Sequence, residues 1–284
     1  MANKVNWFPG HMAKTLAQMS KEIKNVDMVI YVLDARAPLS CLNPKFDDLC
    51  ENKPILYVIN KADLADDSVS LYVKNMLAQK DNCDCILLNS TQSGTSKIIE
   101  PIMKKLCEKK IQKYEKKELN IPLRAMVIGV PNCGKSTLIN NMCGIKKTKT
   151  GDKAGVTRGK QWVALKNGFE ILDTPGTLWP NLEDQDVAKK LCLLGSIRDE
   201  IVDMNDLSLY LVSIVQKYYP TLLQQRYGIV LGEDSISTLD NIAQKKHFLV
   251  KGGDIDYDRT CAMIIDDFRK ARFGKISLDQ VRNV

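Results

Sequence analysis

Short apolar runs alternate with helical spacing over the first 180 residues of the chain. Four apolar runs, each ending at a polar residue or a glycine, are typical of buried parallel strands and cover 28–33, 55–59, 85–88 and 125–128. Helical spacing precedes or separates them, at 11–26, 66–79, 95–117 and 135–143. Two further strands, 161–165 and 169–172, flank an Asn-Gly turn signal. This alternation predicts an α/β fold, a parallel sheet with helices on both faces, that binds ligands at the carboxyl ends of its strands.

After about residue 180 only helical spacing remains. Leu207, Leu211 and Val215 are spaced four residues apart, about one turn of a helix, and residues 258–271 also show helical spacing. The length of 284 residues suits about two domains. We therefore predict one domain at 1–180, which contains the sheet, and a smaller all-helical domain at 181–284.

The composition, 44% apolar and 26% charged, is that of a globular protein and argues against a disordered chain or a coiled-coil rod. No apolar run approaches the length of about 18 residues that a membrane helix needs. The first residues lack the apolar region of a secretory signal. The nine cysteines show no zinc-site spacing, which favours reduced thiols in a cytosolic protein.

The positive charge is concentrated in the first predicted domain. The net charge of +7 divides into +9 for residues 1–180 and −2 for the remainder. Residues 146–160 hold six basic side chains and one acidic, with no helical period. Such a segment is typical of a basic loop and suits a polyanionic partner.

A phosphate-binding motif follows the fourth predicted strand. The segment GVPNCGKS at 129–136 fits GxxxxGK[ST], and helical spacing begins directly after it. In such a loop the glycines turn backbone amides toward phosphate oxygens, and the helix N-terminus adds partial positive charge. Lys135 is expected to reach the β- and γ-phosphates, and Ser136 to bind Mg²⁺. The residues expected around the phosphates are Asn132, Cys133, Gly134, Lys135, Ser136 and Thr137.

A second motif, DTPG at 173–176, follows the strand at 169–172. Its position about 40 residues after the phosphate loop suits the switch region of a nucleotide hydrolase. The Asp173 carboxylate can hold the Mg²⁺ shell, and the Gly176 amide can contact the γ-phosphate. Thr157 lies between the two motifs, and its hydroxyl can complete the shell in the triphosphate state.

A third motif, NKAD, follows the second predicted strand and suits recognition of guanine. The Asp63 carboxylate can accept from two guanine donors, N1–H and N2–H₂, and adenine offers no such pair. Asn60 suits the O6/N7 edge of the base and neighbouring backbone, and Lys61 can pack its stem over the ring. Asn89 and Ser90 follow another predicted strand, and their backbone amides are expected to close the base pocket. The expected base contacts are Asn60, Lys61, Ala62, Asp63, Asn89 and Ser90.

The order of the motifs is the reverse of that in most GTPases, where the phosphate loop comes before the base motif. A circular permutation explains this order without a change of fold, with the former chain ends joined near 117–122 and the new break just after Gly176. The switch then runs directly into the helical domain. We therefore expect the nucleotide state to set the relative orientation of the two domains.

With this order, three further segments carry a family resemblance: WFPGHM at 7–12, DARAP at 34–38 and LWP at 178–180. Together with DRT at 258–260, they make nearly the whole chain resemble the ribosome biogenesis GTPase A family of circularly permuted GTPases. The resemblance implies a bacterial cytoplasmic GTPase that binds GTP and GDP and acts late in assembly of the large ribosomal subunit. It also implies contacts with rRNA and ribosomal proteins, and hydrolysis stimulated by the subunit; we expect a monomer that needs no membrane.

Thr177 departs from the water-orienting Gln of many small GTPases and from the bulky apolar residue usual among relatives. The resemblance therefore suggests that His11 orders the catalytic water, beside Lys135 as the second catalytic residue. It also suggests that Asn132 holds K⁺ next to the phosphates. The alternative is that Asn132 makes only a hydrogen bond within the loop. The basic residues Arg269, Lys270, Arg272 and Lys275 either touch rRNA or cover a helix end.

Two other functions compete with that of a GTP hydrolase used as an assembly switch. The first is a GTP-dependent placeholder that binds ribosome or RNA and whose hydrolysis only times release. The second is a permuted GTPase that serves another RNA or a membrane process. A P-loop nucleotide kinase is disfavoured, because the segment NKAD would then have no role.

Overall fold

The computed structural model describes residues 10–50, 52–144, 161–165, 168–179, 182 and 184–281. Six strands form one sheet in the order β3-β2-β1-β4-β6-β5. They are β1 Met28–Asp34, β2 Ile55–Asn60, β3 Cys83–Leu88, β4 Leu123–Ile128, β5 Gln161–Ala164 and β6 Phe169–Asp173. Neighbours are parallel except for β5, which pairs antiparallel with β6. The α/β prediction and all six predicted strands are confirmed.

Helices flank the sheet at the sequence positions that the apolar spacing predicts, and one further helix was not predicted. The helices of this part are α1 Gly10–Glu22, α2 Pro44–Leu49, α3 Asp67–Ala78, α4 Thr95–Leu106, α5 Glu108–Glu115 and α6 Lys135–Cys143. The addition is α2, whose six residues are too few to show a period. Its start is fixed locally, because the Asn43 side chain accepts from the Lys45 amide and Pro44 occupies the first helical position.

The helix predicted over 95–117 is two helices that meet at Cys107. α4 buries Ile99 and Met103, whereas every side chain of α5 is at least partly exposed. Lys110 of α5 pairs with Asp27, which precedes β1. The bend at Cys107 therefore lets α5 approach the segment that leads into the sheet, instead of continuing the line of α4.

The chain after residue 184 is helical, as predicted. Its helices are α7 Gln185–Leu193, α8 Met204–Tyr218, α9 Pro220–Tyr227, α10 Ser235–Lys245 and α11 Tyr257–Arg269. At four of the five N-termini an aspartate side chain accepts a backbone N–H, namely Asp184, Asp203, Asp234 and Asp256. Within the described ranges, no helix combines the length and the apolar composition that crossing a bilayer requires.

One hydrophobic core runs through the sheet and the helical part. It includes Ile128 of β4 together with Leu191 of α7 and Leu211 of α8. The last described segment, 276–281, returns to the loops beside the sheet: the Asp279 carboxylate accepts from the amides of Leu39 at 2.7 Å and Ser40 at 3.0 Å. The two parts are therefore packed together, and the boundary at residue 180 stays a prediction.

Candidate nucleotide-binding site

The predicted motifs lie at one edge of the sheet. The phosphate loop follows β4, DTPG begins at the last residue of β6, and NKAD begins at the last residue of β2. Since these strands are parallel and β4 has β1 and β6 as neighbours, their carboxyl ends meet at the same edge. The sheet thus brings together segments that are far apart in the sequence.

The phosphate loop takes a shape that only glycine permits at two positions. Gly129 has φ 147°, and a Cβ there would lie 2.4 Å from the carbonyl oxygen of Val32. Gly134 has φ 100°, and a Cβ there would lie 2.2 Å from the Asn60 Nδ2. α6 begins immediately after Gly134, so the loop ends at a helix N-terminus, where backbone amides attract an anion.

The Lys135 side chain lies within this loop, with only 6% of its surface exposed. Its Nζ donates to the carbonyl of Gly129 at 3.1 Å and to that of Val130 at 2.9 Å. A buried ammonium held by neutral carbonyls gains further from an anion, since charge-assisted hydrogen bonds are about twice as strong as neutral ones. The position is thus suited to phosphate oxygens.

Ser136 and Asp173, two of the predicted metal ligands, lie within hydrogen-bond distance of each other. The Ser136 Oγ donates to the Asp173 Oδ2 at 3.3 Å, and the other carboxylate oxygen, Oδ1, is buried and has no hydrogen-bond donor among the described residues. Burial raises the pKa of Asp173, opposed by the nearby Lys135 charge. A buried carboxylate with one oxygen left without a donor, beside a hydroxyl, provides oxygen ligands of the kind that Mg²⁺ takes together with phosphate oxygens. Thr157, the third predicted ligand, lies outside the described residues.

The DTPG segment contacts the phosphate loop directly. A Cβ on Gly176 would lie 2.6 Å from the Pro131 Cα and 2.9 Å from the Lys135 Nζ. The Thr174 hydroxyl donates to the Val127 carbonyl in β4 at 2.6 Å. This close approach leaves no room for a side chain at Gly176 and places its backbone beside the lysine that is expected to meet the γ-phosphate.

Asn60 connects three of the motifs. Its buried side chain donates from Nδ2 to the Cys133 carbonyl at 2.8 Å and accepts at Oδ1 from the Ser90 amide at 3.0 Å. Of the two roles predicted for Asn60, base edge and neighbouring backbone, the structure shows the second. The Ser90 amide, predicted to close the base pocket, donates to Asn60, and its role toward the base stays a prediction. The Asn89 side chain accepts from Thr91 in a local turn.

The remaining residues of NKAD lie at the expected edge. Lys61 has φ 59° and donates from Nζ to the Asn132 carbonyl of the phosphate loop at 2.7 Å. Ala62 and Asp63 begin a short 3₁₀ turn, and the Asp63 side chain is exposed. An exposed carboxylate at the end of the NKAD segment is accessible to a ligand, and its reading of guanine stays a prediction.

The turn after α7 also touches the phosphate loop, which no sequence pattern indicated. The Asn132 Nδ2 donates to the Gly195 carbonyl at 2.6 Å, and the Ser196 Oγ donates to the Pro131 carbonyl at 2.7 Å. Each pair is more than 60 residues apart in the chain. The nucleotide site is therefore in direct contact with the helical part.

Thr177 does not face the phosphate side of the loop. It is buried, and its hydroxyl lies 3.8 Å from the Met19 sulfur of α1. The residue therefore packs the switch against α1 instead of orienting water. His11 stands in the first turn of that helix, and its side chain lies outside the described ones.

The four basic residues near the C-terminal end are engaged in ion pairs. Arg269 pairs with Asp199, Lys270 with Asp266, Arg272 with Asp266 and Asp267, and Lys275 with Asp67. Arg269 also donates to the carbonyls of Leu193 and Cys192 at the end of α7. Of the two predicted roles, the structure favours covering a helix end over contact with rRNA.

Comparison with known proteins agrees with this geometry. A family model described as 50S ribosome-binding GTPase matches residues 124–248. The ribosome biogenesis GTPase A of Bacillus licheniformis is 38% identical over 278 residues, which cover 97% of this chain and 98% of that protein. The match includes the segments before the phosphate loop as well as those after it.

Two solved structures are similar along nearly the whole chain. The crystal structure of GNP-bound YlqF from T. maritima has a TM-score of 0.64 at 25% identity, over 95% of this chain and 100% of that one. A GDP-bound structure of YlqF has a TM-score of 0.65 at 25% identity, over 94% of this chain and 100% of that one. Both neighbours are thus described with a guanine nucleotide bound.

Proposed function

The chain belongs to the ribosome biogenesis GTPase A family, and from that premise we propose that it acts as a nucleotide-dependent switch late in assembly of the large ribosomal subunit. It is a GTP hydrolase with a role in ribosome biogenesis. Its P-loop GTPase sheet is circularly permuted: the strands that lead to the base motif come before β4, which leads to the phosphate loop. What we propose beyond this is the stage of assembly, that of the large subunit, and the role of a nucleotide-dependent switch.

The observation that carries the proposal is the contact between NKAD and the phosphate loop through Asn60 and Lys61. One nucleotide can meet both motifs only if they lie side by side. Asp63 then reads the guanine ring, Asn89 and Ser90 border it, and the amides from Asn132 to Thr137 surround the phosphates. The switch residue Gly176 lies beside Lys135, where the γ-phosphate would be detected.

We propose that Ser136 and Asp173 hold Mg²⁺ and that Thr157 joins them in the triphosphate state. The buried, unbonded oxygen of Asp173 supports this assignment. When bound, the ion supplies positive charge that neutralises the phosphate oxygens as the γ-phosphate leaves. The chain itself contributes Lys135, whose ammonium approaches the same oxygens.

His11 and Asn132 complete the proposed catalytic arrangement. Since Thr177 faces Met19, the water must be ordered from elsewhere, and His11 at the start of α1 is our candidate. Asn132 is our candidate for holding K⁺ beside the phosphates. Turnover compared in equal concentrations of KCl and NaCl tests this role, because an effect of K⁺ should vanish in Asn132→Ala.

We propose that the partners are rRNA and ribosomal proteins of a large-subunit precursor, met in the cytoplasm by a monomer. The positive charge of residues 1–180 and the family description as a 50S ribosome-binding GTPase support an RNA-containing partner. The two hydrogen bonds from the turn after α7 to the phosphate loop give a route by which the nucleotide could alter the helical part.

Co-sedimentation with ribosomal subunits under GDP, GTP and a non-hydrolysable analogue tests the proposal. We expect the chain to accompany large-subunit precursors with GTP or the analogue and to leave them with GDP. Equal sedimentation in all three nucleotides would contradict a nucleotide-dependent switch.

The orientation of Thr177 favours one alternative, a placeholder whose hydrolysis only times release, because the switch brings no water-orienting side chain of its own. Precursor subunits mixed with the analogue separate the two functions. A placeholder supports maturation without hydrolysis, whereas the proposed switch leaves precursors arrested with the protein bound.

A further inference from the structure

Asp34 is a charged residue inside the core, at the last position of β1, with 1% of its side chain exposed. Its Oδ1 accepts from the Arg36 amide at 3.1 Å and from the Arg36 Nε at 3.0 Å. Its Oδ2 accepts from the Arg36 Nη2 at 2.8 Å and from the Lys61 Nζ at 2.8 Å. One buried carboxylate thus binds two cationic side chains, those of Arg36 and Lys61, and Lys61 belongs to the base motif.

Lys61 is held at its end by two groups. Besides Asp34, its ammonium donates to the Asn132 carbonyl of the phosphate loop at 2.7 Å, and 25% of the side chain remains exposed. A lysine stem loses considerable rotamer freedom when it is ordered, and this loss opposes ligand binding if it occurs only on binding. The carboxylate and the carbonyl that fix the ammonium both belong to the protein, so this ordering does not depend on contacts with a ligand.

Arg36 fixes the carboxylate in turn. Its guanidinium lies 5.2 Å from the centre of the Phe268 ring and donates from Nη1 to the Arg269 carbonyl at 3.3 Å, both in α11. Burial opposes ionisation of Asp34, but the charges of Arg36 and Lys61 outweigh it and hold the pKa of that carboxyl well below its usual range. Asp34 is therefore ionised at neutral pH, and Arg36 anchors it to the helical part.

We propose that Asp34 is a positioning residue for guanine-nucleotide binding, which fixes the Lys61 ammonium so that the Lys61 stem is preorganised beside Asp63. The inference rests on the proposed reading of the base by residues 60–63. It gives a role to the segment DARAP at 34–38, which the nucleotide site itself does not use. Arg36 supports Asp34 and connects it to α11.

Titration of GDP binding to wild type, Asp34→Asn, Lys61→Met and the double variant tests the proposal. Asp34→Asn keeps the shape but removes the charge that holds Lys61, and Lys61→Met keeps an apolar stem but removes the ammonium. We expect each single variant to weaken GDP binding by about tenfold, within the range of lost charged hydrogen bonds. The double variant should bind no more than about twofold more weakly than Lys61→Met, since coupled residues are not additive.

The matched control is Asp199→Asn, which removes the partly exposed carboxylate that pairs with Arg269 and should leave GDP binding unchanged. An equal loss from Asp34→Asn in the wild-type and Lys61→Met backgrounds would show a merely structural role and overturn the proposal. If Asp34→Asn fails to fold, Lys61→Met decides alone, because wild-type affinity in that variant would overturn it as well. Wild type that binds ADP as well as GDP would instead overturn the reading of the base.

Discussion

Asn60 donates a hydrogen bond to the carbonyl of Cys133, a residue 73 positions later in the chain, over 2.8 Å. The same side chain accepts from the Ser90 amide. Asn60 is 1% exposed, so both partners lose their hydrogen bonds to it without gaining water if the amide is removed. The geometry of the phosphate loop thus depends on a residue of the base motif.

Asn60→Ala should weaken both the fold and nucleotide binding. Two buried backbone groups are left without partners, and we expect the free energy of unfolding to fall by about 1–3 kcal/mol for each. GDP affinity should drop by about tenfold or more, because the phosphate loop loses a contact that fixes it. Urea denaturation and GDP titration measure the two effects. Asn205→Ala, at an exposed site at the start of α8, is the control and should change neither.

Asp173→Asn should have opposite effects on stability and on hydrolysis. Burial raises the pKa of Asp173 in the folded chain, so the folded state binds a proton more readily than the unfolded state and loses stability as the pH rises through this range. Removing the charge should therefore raise the melting temperature of the nucleotide-free protein at pH 7. Mg²⁺-dependent GTP turnover should fall by about 100-fold or more. A lower melting temperature together with unchanged turnover would refute the metal assignment.

Asp267→Asn should destabilise the helical part in a pH-dependent way. Asp267 is fully buried and accepts from Arg226, Arg272 and the Tyr227 hydroxyl. Burial alone would raise the pKa of Asp267, but its hydrogen bonds with these three residues outweigh burial and lower it.

The stabilisation by Asp267 is thus present above the ordinary aspartate pKa of about 3.9 and is lost as the pH falls through the lower folded value. Because both arginines are partly exposed, we expect a loss of about 2–3 kcal/mol at pH 7. Urea denaturation across the pH range should show the difference from wild type shrinking below about pH 4. A difference that stays constant with pH would contradict the assignment.

His11→Ala should lower turnover stimulated by the ribosomal subunit by about tenfold or more, the smaller end of what a positioned acid or base contributes. Nucleotide affinity should be unchanged, since the role assigned to His11 concerns the attacking water. Phosphate release and GDP titration measure the two. Lys14→Ala, at an exposed position of the same helix, is the control. Unchanged stimulated turnover in His11→Ala would reject the role.

The strands β1 and β2 could be predicted because every residue in them is buried and they read as nearly continuous apolar runs. The phosphate loop could be predicted because its chemistry fixes residue types at fixed spacing. The bend at Cys107 could not, since the apolar spacing continues on both sides of it and only the contact of Lys110 with Asp27 gives the reason for a second helix.

The contacts made by the helical part were equally beyond sequence reasoning. Asn132 binds Gly195 through a backbone carbonyl, a group that every residue carries and no sequence pattern marks. Asp279 caps the amides of Leu39 and Ser40, although 239 residues separate it from Ser40. One signal was present for Asp34, since a charged residue ends an otherwise apolar run, but only the structure shows that Lys61 is its partner.

The central claim is that the segments at 60–63 and 129–136 bind opposite ends of one guanine nucleotide. Competition of GTP and ATP for the wild type and for Asp63→Asn tests it most directly. We predict that wild type prefers GTP strongly, and that Asp63→Asn loses about 2 kcal/mol of that preference because the guanine donors lose their charged acceptor. Equal binding of ATP and GTP by wild type, or an unaltered preference in Asp63→Asn, would contradict the claim.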